Sequence, residues 1–366
     1  MREISILTFW GVPNYGAFAQ AFALHKVLGK KYPDATVKQI AYLHPMHRDL
    51  YFKKKKPKRG RRLDWVNIKY YKKLADFYFN PQIEYPNFQK DWDSIEHINI
   101  GNINELEKRQ WDILVTGSDA IWEYSIPEFG NDQHLIGNNL YFTKLISYAP
   151  SFGSMKIDSN FPNFVQNGLK KYNALSVRDK NSQDIVMKLL NHKQQCSLVL
   201  DPTLLYDFKN DESIPEPDYE DYILVYGSEY SPELIDEVQD YAKKNHLKII
   251  GVGIAPAWCD VKLENIGPLE WIGMFSKAVF VVTCTFHGLM FSINYDKKVV
   301  FNQVEYVKNR STYLLERLGL DQLFVGKNVS LKEVLNYSWD YSEIQRRLDV
   351  MRRESMDFLE GALSNE

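Results

Sequence analysis

The feature that most constrains the fold is residues 279–293, VFVVTCTFHGLMFSI, because the hydrophobic pattern changes its period partway along. Residues 279–282 form a continuous and largely β-branched apolar run, which is typical of a strand buried on both faces of a parallel sheet. The apolar residues from Leu289 onward have the spacing of a helix. The stretch therefore predicts a strand that leads through a short turn into a helix, the repeating unit of α/β folds.

A histidine lies in this predicted turn, which contains Thr285, Phe286, His287 and Gly288. Open α/β sheets bind ligands at the carboxyl ends of their strands, and the free N–H groups at the start of the next helix attract anions. His287 is thus a candidate for chemistry. The alternative is that His287 only caps the helix or forms a hydrogen bond in the core.

Size and composition limit the class of protein. A chain of 366 residues favours two domains over a single core. Hydrophobic residues at 45% and charged residues at 25% are typical of a soluble globular protein, and not of a disordered, collagen-like or coiled-coil chain. The first residues have no signal-peptide pattern, and no segment reaches the ~18 consecutive apolar residues of a membrane span. We therefore expect a cytoplasmic protein.

The cysteines give no indication of a metal or redox site. Cys196, Cys259 and Cys284 are far apart in the sequence and form no Cys-x-x-Cys pair. We expect reduced, structural thiols, no metal site and no bound cofactor.

Residues 53–62, KKKKPKRGRR, are the strongest charge feature: eight of the ten are basic, whereas the whole chain carries a net charge of −2. The remainder is therefore acidic, and we expect no binding to nucleic acid. Aromatic residues follow the segment, and such a combination can contact an anionic membrane surface, at about 1 kcal/mol per basic residue. Two interpretations stay open: peripheral contact with the inner face of the membrane, or a solvated loop before a packed helix.

The chain opens with the pattern of a βαβ unit. Its predicted elements are a strand at 4–9, a helix at 17–28 and a strand at 37–43. Asn14, Tyr15 and Gly16 are predicted to form a loop at the carboxyl end of the first strand. Gly16 can adopt a positive φ and let the backbone approach a ligand, although the loop is not a Gly-x-Gly-x-x-Gly phosphate motif.

Polar side chains follow three further predicted strands of the first half. Ser118 and Asp119 follow the strand at 113–116, Ser151 follows 145–149, and Arg178 follows 174–177. Asp119 is predicted either to cap a helix or to act as a general base for a sugar hydroxyl. The Arg178 guanidinium offers a planar fork for a carboxylate or phosphate, or else forms a salt bridge with neighbouring Asp179.

The order of elements predicts an α/β fold with two Rossmann-like, doubly wound domains that face each other across a cleft. The predicted divisions are an N-terminal domain at 1–206, an acidic, proline-containing linker at 207–219, a C-terminal domain at 220–338, and a helix at 339–366 that crosses back. The cleft would bring residues 14–16, Asp119 and Arg178 of the first half towards His287 and Arg310 of the second.

Seven motifs in order resemble one family, the polysaccharide pyruvyl transferases. The motifs are NYGAFAQAFAL at 14–24, VTGSDAIW at 115–122, SYAPSFG at 147–153, LSVRD at 175–179, LDPTLLY at 200–206, GPLEW at 267–271 and TFHGLMFSI at 285–293. They cover nearly the whole chain. The resemblance implies a glycosyltransferase-B-like fold and transfer of the enolpyruvyl group of phosphoenolpyruvate to a sugar as a pyruvate ketal, with release of phosphate.

The resemblance also implies a setting and site roles. Bacterial members act in capsule, exopolysaccharide and cell-wall polymer assembly, so the implied partners are phosphoenolpyruvate and a sugar acceptor, in some cases lipid-linked. His287 is predicted to be the general acid, Arg178 to bind phosphate or carboxylate, and Asp119 to orient or deprotonate the acceptor hydroxyl. Some relatives carry arginine where this chain has Thr285, and Arg310 is the candidate for the missing cation.

Two other functions fit the same sequence. A nucleotide-sugar-dependent glycosyltransferase uses the same architecture, since a fold does not determine a function. A non-catalytic binding protein of envelope polysaccharide synthesis is the second alternative.

Overall fold

Two parallel sheets organise the chain. The computed structural model describes residues 2–57, 68–324 and 330–364. The first sheet has the strand order β3-β2-β1-β4-β5, and a strand pair, β6-β7, continues it beyond β5 through hydrogen bonds between Ser147 and Ser176. Its strands are β1 (Arg2–Leu7), β2 (Ala35–Ala41), β3 (His97–Asn99), β4 (Gln110–Thr116), β5 (Tyr141–Ser147), β6 (Leu175–Val177) and β7 (Cys196–Leu198).

The second sheet repeats this plan, with the strand order β10-β9-β8-β11-β12 and parallel pairing throughout. Its strands are β8 (Tyr222–Tyr226), β9 (Lys248–Val252), β10 (Val261–Leu263), β11 (Ala278–Thr283) and β12 (Lys298–Phe301). Both orders are doubly wound, because the chain starts near the middle of the sheet and builds outward in both directions.

Helices connect the strands on both sheet faces. In the first half they are α1 (Tyr15–Lys31), α2 (Pro45–Phe52), α3 (Ile68–Phe79), α4 (Pro86–Asp93), α5 (Ile103–Lys108), α6 (Asn163–Leu169), α7 (Lys180–Leu189) and α8 (Pro202–Leu205). In the second half they are α9 (Pro232–Asn245), α10 (Pro268–Gly273), α11 (Phe286–Asn294), α12 (Glu305–Leu318), α13 (Asp321–Phe324), α14 (Leu331–Asn336) and α15 (Tyr341–Leu363).

Burial on both faces of the sheet explains why the strand sequences are continuous apolar runs. Along β8, Ile223 and Val225 pack in one apolar cluster, whereas Leu224 packs in the cluster on the opposite face. In β11 every residue is buried except Val279, which is 40% exposed. Strands covered on both faces need no polar alternation, which is the pattern that the sequence shows.

One apolar cluster extends across both halves. The Tyr15 ring at the start of α1 stacks on Trp271 of α10, with ring centroids 5.2 Å apart. The Tyr15 hydroxyl donates to the Ile266 carbonyl at 3.2 Å, and the Leu269 amide donates to Asp91 Oδ2 at 2.9 Å. These contacts join the two halves beside the space between the sheets.

The C-terminal helix α15 contacts both halves. Within the predicted division at 339–366, its charged amphipathic pattern predicts a helix over 341–363, which is the range observed. Leu359 and Leu363 pack with β1 and α1 residues in the cluster on the outer face of the first sheet. Ser355 Oγ accepts a hydrogen bond from the Leu200 amide at 2.9 Å, and Gln345 donates to the Ile293 carbonyl in α11 at 3.2 Å. The domain boundaries at 206 and 220 stay a prediction.

Several predicted elements differ from the structure. Tyr15 and Gly16 belong to helix α1 and not to a loop, since the Asn14 side chain caps the helix by accepting from the Ala17 amide at 3.1 Å. The spacing of Leu314, Leu315 and Leu318 predicts a helix over 310–318, whereas helix α12 begins at Glu305, because Val304 provides no side-chain cap as a signal. Strand β10 and the elements between 68 and 108 had no prediction; their short, charged sequences lack a clear period.

The predicted fold class, α/β with two Rossmann-like doubly wound domains, is confirmed by the two parallel sheets. Within the described ranges, no helix is both long and apolar enough to cross a bilayer. The predicted membrane contact of residues 53–62 stays a prediction, because 58–62 lie outside the described residues. In the described part, Lys53 and Lys54 form exposed ion pairs with Asp49 and Asp76.

Candidate active site

Side chains from the carboxyl ends of four strands meet between the sheets. Asp119 follows β4, Arg178 follows β6, Asp201 follows β7, and His287 lies in the first turn of α11 after β11. Parallel strands place their carboxyl ends at one edge of a sheet, which is why residues distant in sequence converge here. The structure thus brings together the three residues for which the sequence predicts catalytic or anion-binding roles, Asp119, Arg178 and His287.

Arg178 is the centre of this cluster. Its Nη1 donates to Asp201 Oδ2 at 2.6 Å and its Nη2 donates to Asp119 Oδ1 at 3.0 Å. The guanidinium side chain is fully buried. Arg178 therefore pairs with two distant carboxylates, and neighbouring Asp179 instead caps α7 by accepting from the Ser182 amide at 2.7 Å.

Helix capping is one of the two roles predicted for Asp119, and in the structure Asp119 does not cap a helix. In the described chain no helix begins at Asp119, which adopts a positive φ of 74° in the turn after β4. Its Oδ1 accepts the Ala120 amide at 2.8 Å in addition to Arg178. The side chain is 12% exposed, so it is the member of the Arg178 ion pairs that can reach a ligand.

His287 also does not cap its helix, because Thr285 does. Thr285 Oγ1 accepts from the Gly288 amide at 3.0 Å. His287 Nε2 lies 3.9 Å from Asp201 Oδ2, which is too long for a hydrogen bond, and this buried nitrogen has no hydrogen-bond partner among the described residues. A buried polar atom without a partner is costly in a structure and suggests a functional reason.

Gly16 is the residue that lets His287 occupy this position. A Cβ built on Gly16 would lie 1.9 Å from His287 Nδ1, far inside van der Waals contact. The sequence predicted a close approach at Gly16 through a positive φ. In the structure Gly16 is helical, and the close approach is that of the imidazole ring to α1.

Replacing Gly16 with alanine is therefore expected to displace the His287 ring and to lower turnover by about 10- to 100-fold, because small misplacements of a catalytic group are costly. Gly29→Ala in the same helix is the matched control, since nothing lies within 4 Å of a Cβ there and alanine favours the helix. The comparison uses kcat together with urea unfolding. Wild-type turnover in Gly16→Ala would show that the exact position of His287 is unimportant.

Burial and charge set the protonation states. Burial raises the pKa of Asp119, but the Arg178 charge, the Ala120 amide and the Arg310 charge lower it by more, so its pKa lies below the usual value. Burial lowers the pKa of His287, and the Asp201 and Asp119 carboxylates only partly offset this. In the free protein near neutral pH, Asp119 is thus an anion and His287 is mostly neutral.

A cavity of about 290 Å³ lies against this cluster, and both halves of the chain line it. Asn14 and Asp119 come from the first half, and Tyr306 and Arg310 from the second. Arg178 and His287 lie behind Asp119 and do not line the cavity, although the His287 side chain keeps 11% of its surface exposed.

Arg310 is the cation of this cavity. It is half-buried, its Nε donates to the Tyr306 carbonyl at 3.2 Å, and no described carboxylate forms an ion pair with it. The Phe286 ring lies close to two guanidiniums, at 6.0 Å from that of Arg310 and 4.6 Å from that of Arg178. An arginine facing a cavity without an anionic partner is suited to bind an anion.

Four further predicted site residues, Ser118, Ser151, Tyr15 and Thr285, lie outside the Arg178 cluster or hold it from within the fold. Ser118 is fully buried, and its single hydroxyl proton lies between two acceptors, the Ala149 carbonyl at 2.9 Å and Asp201 Oδ2 at 3.2 Å from Oγ. Ser151 is also fully buried, and its hydroxyl accepts from the Gly153 amide. Tyr15 and Thr285 line a second cavity, described below.

Three residues at the site were missed from the sequence: Asp201, His47 and Glu123. Asp201 had a signal, since it follows a strand and precedes a proline within LDPTLLY. His47 and Glu123 line the 290 Å³ cavity, and burial lowers the pKa of His47 to about 4. Their placement depends on how α2 and the loop after Asp119 pack, which no local pattern indicates.

Comparison with known proteins identifies the family. Residues 14–301 match the family model described as polysaccharide pyruvyl transferase, and the chain belongs to this family. The match begins at the Asn14 cap and includes Asp119, Arg178, Asp201 and His287. No curated protein sequence matches the chain significantly.

Solved structures match at low identity. UDP-GlcNAc 2-epimerase from Methanocaldococcus jannaschii has 10% identity and a TM-score of 0.44, covering 96% of this chain and 93% of that chain. A mutant of T4 phage BGT in complex with UDP-glucose has 12% identity and a TM-score of 0.46, covering all of both chains. S. aureus MnaA with UDP has 9% identity and a TM-score of 0.48, covering 97% and 91%. We draw no functional conclusion from these matches.

Proposed function

We propose that the chain transfers the enolpyruvyl group of phosphoenolpyruvate to two hydroxyls of a sugar in a cell-surface polysaccharide or its precursor. The product is a pyruvate ketal, and phosphate is released. The observation that carries this proposal is the unpaired Arg310 guanidinium in a cavity whose wall holds Asp119, with Arg178 and His287 directly behind it. Membership of the pyruvyl transferase family supports it.

The reaction balances with one proton donor and one acceptor. Protonated His287 is the proposed donor of a proton to the vinyl CH₂ of phosphoenolpyruvate, which becomes a methyl group and leaves C2 electrophilic. Because His287 lies behind Asp119 with 11% of its side chain exposed, this transfer requires the buried Nε2 to gain access to the cavity. One sugar hydroxyl attacks C2, the bond from C2 to the phosphate oxygen breaks, and the second hydroxyl then attacks the same carbon. Of the two hydroxyl protons, one restores His287, and the other passes through Asp119 to the departing phosphate, which leaves as hydrogen phosphate.

Asp119 is the proposed contact of the acceptor hydroxyl. Its carboxylate remains ionised because its pKa is below the usual value. Such a weak base holds and orients a hydroxyl in the ground state and takes its proton only as the new C–O bond forms. The partial exposure of Asp119 on the cavity wall suits this role.

Arg310 is the proposed first ligand of the phosphate or carboxylate, in place of the arginine that some relatives have at the position of Thr285. Arg178 is the proposed second ligand. Both its Nη atoms already hold carboxylates, so direct binding requires Asp119 to release it. Without that release, Arg178 acts by positioning Asp119.

The test is phosphate release from phosphoenolpyruvate with a panel of neutral p-nitrophenyl glycosides and lipid-linked sugars as acceptors. Arg310→Ala is expected to raise the KM for phosphoenolpyruvate by about 10- to 100-fold, since charge-assisted hydrogen bonds contribute about 1.5–3 kcal/mol. Arg317→Ala, in the same helix but paired with Glu354 at 2.9 Å, is the control and should leave this KM unchanged.

Three outcomes would contradict the proposal. An unchanged KM in Arg310→Ala would remove this residue from the anion site. Cleavage of a nucleotide sugar with no response to phosphoenolpyruvate would favour the glycosyltransferase alternative, and binding of phosphoenolpyruvate without turnover on any acceptor would favour the non-catalytic one.

A further inference from the structure

A second cavity, of about 720 Å³, opens beside the first. The two cavities share Asn14, Tyr51 and Tyr306 as lining residues, so they are neighbouring parts of one cleft. The larger cavity falls within the range of small-molecule sites, roughly 300–1,000 Å³. Arg310 and Asp119 line the smaller cavity, so the anion site that we propose lies there and the larger cavity needs a different ligand.

The walls of the larger cavity are built from both halves. From the first half, α4 and the residues before it contribute Tyr85 and Asn87. From the second half, the ends of β8 and β9 and the loop after β10 contribute Tyr226, Gly253 and Asn265. The Asn87 side chain donates to the Asn265 carbonyl, and this hydrogen bond joins the two walls.

The charge of the larger cavity excludes one class of ligand. Its described lining contains two acidic side chains, Glu84 and Glu264, and no lysine or arginine. A nucleotide diphosphate needs cations or a helix N-terminus with free N–H groups. Thr285 lines the cavity at the start of α11, where its own Oγ1 takes the Gly288 amide, and the described lining has no cation to assist the other amides of that turn.

The remaining lining chemistry suits a neutral sugar. Aromatic faces offer apolar contact to the C–H face of a pyranose, and amide and carboxylate groups offer hydrogen bonds to its hydroxyls. Six aromatic side chains line the cavity, namely Tyr15, Tyr51, Tyr85, Phe88, Tyr226 and Tyr306. Asn14, Asn87 and the two glutamates supply the polar groups.

We propose that the larger cavity is the subsite for an uncharged saccharide, the part of the acceptor next to the hydroxyls that react. This inference rests on the proposed function for its link to catalysis. A sugar bound in this subsite lies next to Asp119, on the other side of the residues that line both cavities, Asn14, Tyr51 and Tyr306. It selects against uronic acids and against acceptors with a diphosphate close to the reacting sugar, because Glu84 and Glu264 repel both.

Tyr85→Ala tests the proposal. Tyr85 is half-buried, lines only the larger of these two cavities, and does not contact the Arg178 cluster. Loss of an aromatic contact of about 1 kcal/mol is expected to raise the acceptor KM about 5-fold or more, with an unchanged KM for phosphoenolpyruvate. Tyr141→Ala, on β5 and 64% exposed outside the cavity, is the matched control.

A binding measurement separates this inference from the proposed function. Saturation-transfer NMR without phosphoenolpyruvate uses the neutral p-nitrophenyl glycosides, p-nitrophenyl glucuronide and UDP as probes. We expect a neutral glycoside to bind wild type and Tyr141→Ala, to bind Tyr85→Ala more weakly, and not to be displaced by UDP. The glucuronide should bind less well than the glucoside.

The outcomes are distinct. Tyr85-dependent glycoside binding without any phosphoenolpyruvate turnover would support the saccharide subsite and contradict the proposed function. Turnover with an acceptor KM that Tyr85→Ala leaves unchanged would overturn the subsite alone. Displacement of the glycoside by UDP, preference for the glucuronide, or no binding of any neutral glycoside would also overturn it.

Discussion

His287→Ala is expected to lower phosphoenolpyruvate-dependent phosphate release by about 100- to 10,000-fold, the usual contribution of a positioned general acid. The change removes a buried imidazole whose Nε2 has no hydrogen-bond partner in the described part of the chain, so the stability cost is that of the cavity left behind and not of a lost Nε2 hydrogen bond. Urea unfolding and kcat are measured on the same preparations. His246→Ala, at the C-terminus of α9 and away from the cleft, is the control.

The acid role of His287 also predicts how kcat/KM and kcat depend on pH. A general acid acts in its protonated form, and in the free protein the pKa of His287 lies below its ordinary value because of burial. We therefore expect kcat/KM to fall as pH rises through a value below about 6.5. Bound phosphoenolpyruvate adds negative charge beside the ring and raises its pKa, so kcat should fall only at higher pH.

Near wild-type turnover in His287→Ala would rule out the acid role. Coincident pH profiles for kcat/KM and kcat would contradict the charge coupling between His287 and the bound anion. In the alanine variant, the pH profile of any residual activity should lack the decrease that deprotonation of His287 causes in the wild type.

Arg178→Ala is expected to cost about 3–5 kcal/mol of the free energy of unfolding, because it leaves the buried Asp119 and Asp201 carboxylates without their shared cation. Urea unfolding measures the loss. Arg310→Ala is the matched control: this arginine faces the same site but forms no ion pair with a described carboxylate, so its stability change should stay within about 1 kcal/mol.

A double variant checks the cause. Replacing Asp119 with asparagine in the Arg178→Ala background removes one unpaired charge and should recover part of the lost stability. Arg178→Lys tests the geometry, because a single ammonium cannot reproduce the fork that donates to two carboxylates. A loss below about 1 kcal/mol in Arg178→Ala would show that the pairs contribute little.

Local pattern was sufficient for most of the regular structure. Helix α9 begins at Pro232 after the Ser231 cap, as the Ser-Pro dipeptide predicts, and β8 spans 222–226, the range that its continuous apolar run predicts. Both follow from short-range physics: a side-chain cap, a fixed φ at the first helical residue, and a continuous apolar run. The region between 52 and 109 has no such regular period, and its helices depend on tertiary contacts.

The site was only partly predictable for a different reason. The sequence placed Asp119, Arg178 and His287 at strand ends, and parallel topology alone brings strand ends together. It could not give their partners. Arg178 is 59 residues from Asp119 and 23 from Asp201, and which carboxylates it reaches depends on the order of strands within the sheet.

By itself, the sequence determined the repeating strand–helix units, the two doubly wound sheets and the position of a histidine at the start of a helix. These follow from hydrophobic periods and caps that act over a few residues. Only the tertiary structure decided that Gly16 makes room for the His287 ring, that Arg310 faces the cavity unpaired, and that a cavity lined by aromatic residues adjoins it. Such contacts join elements from both halves of the chain, and their geometry is set by packing that no local pattern contains.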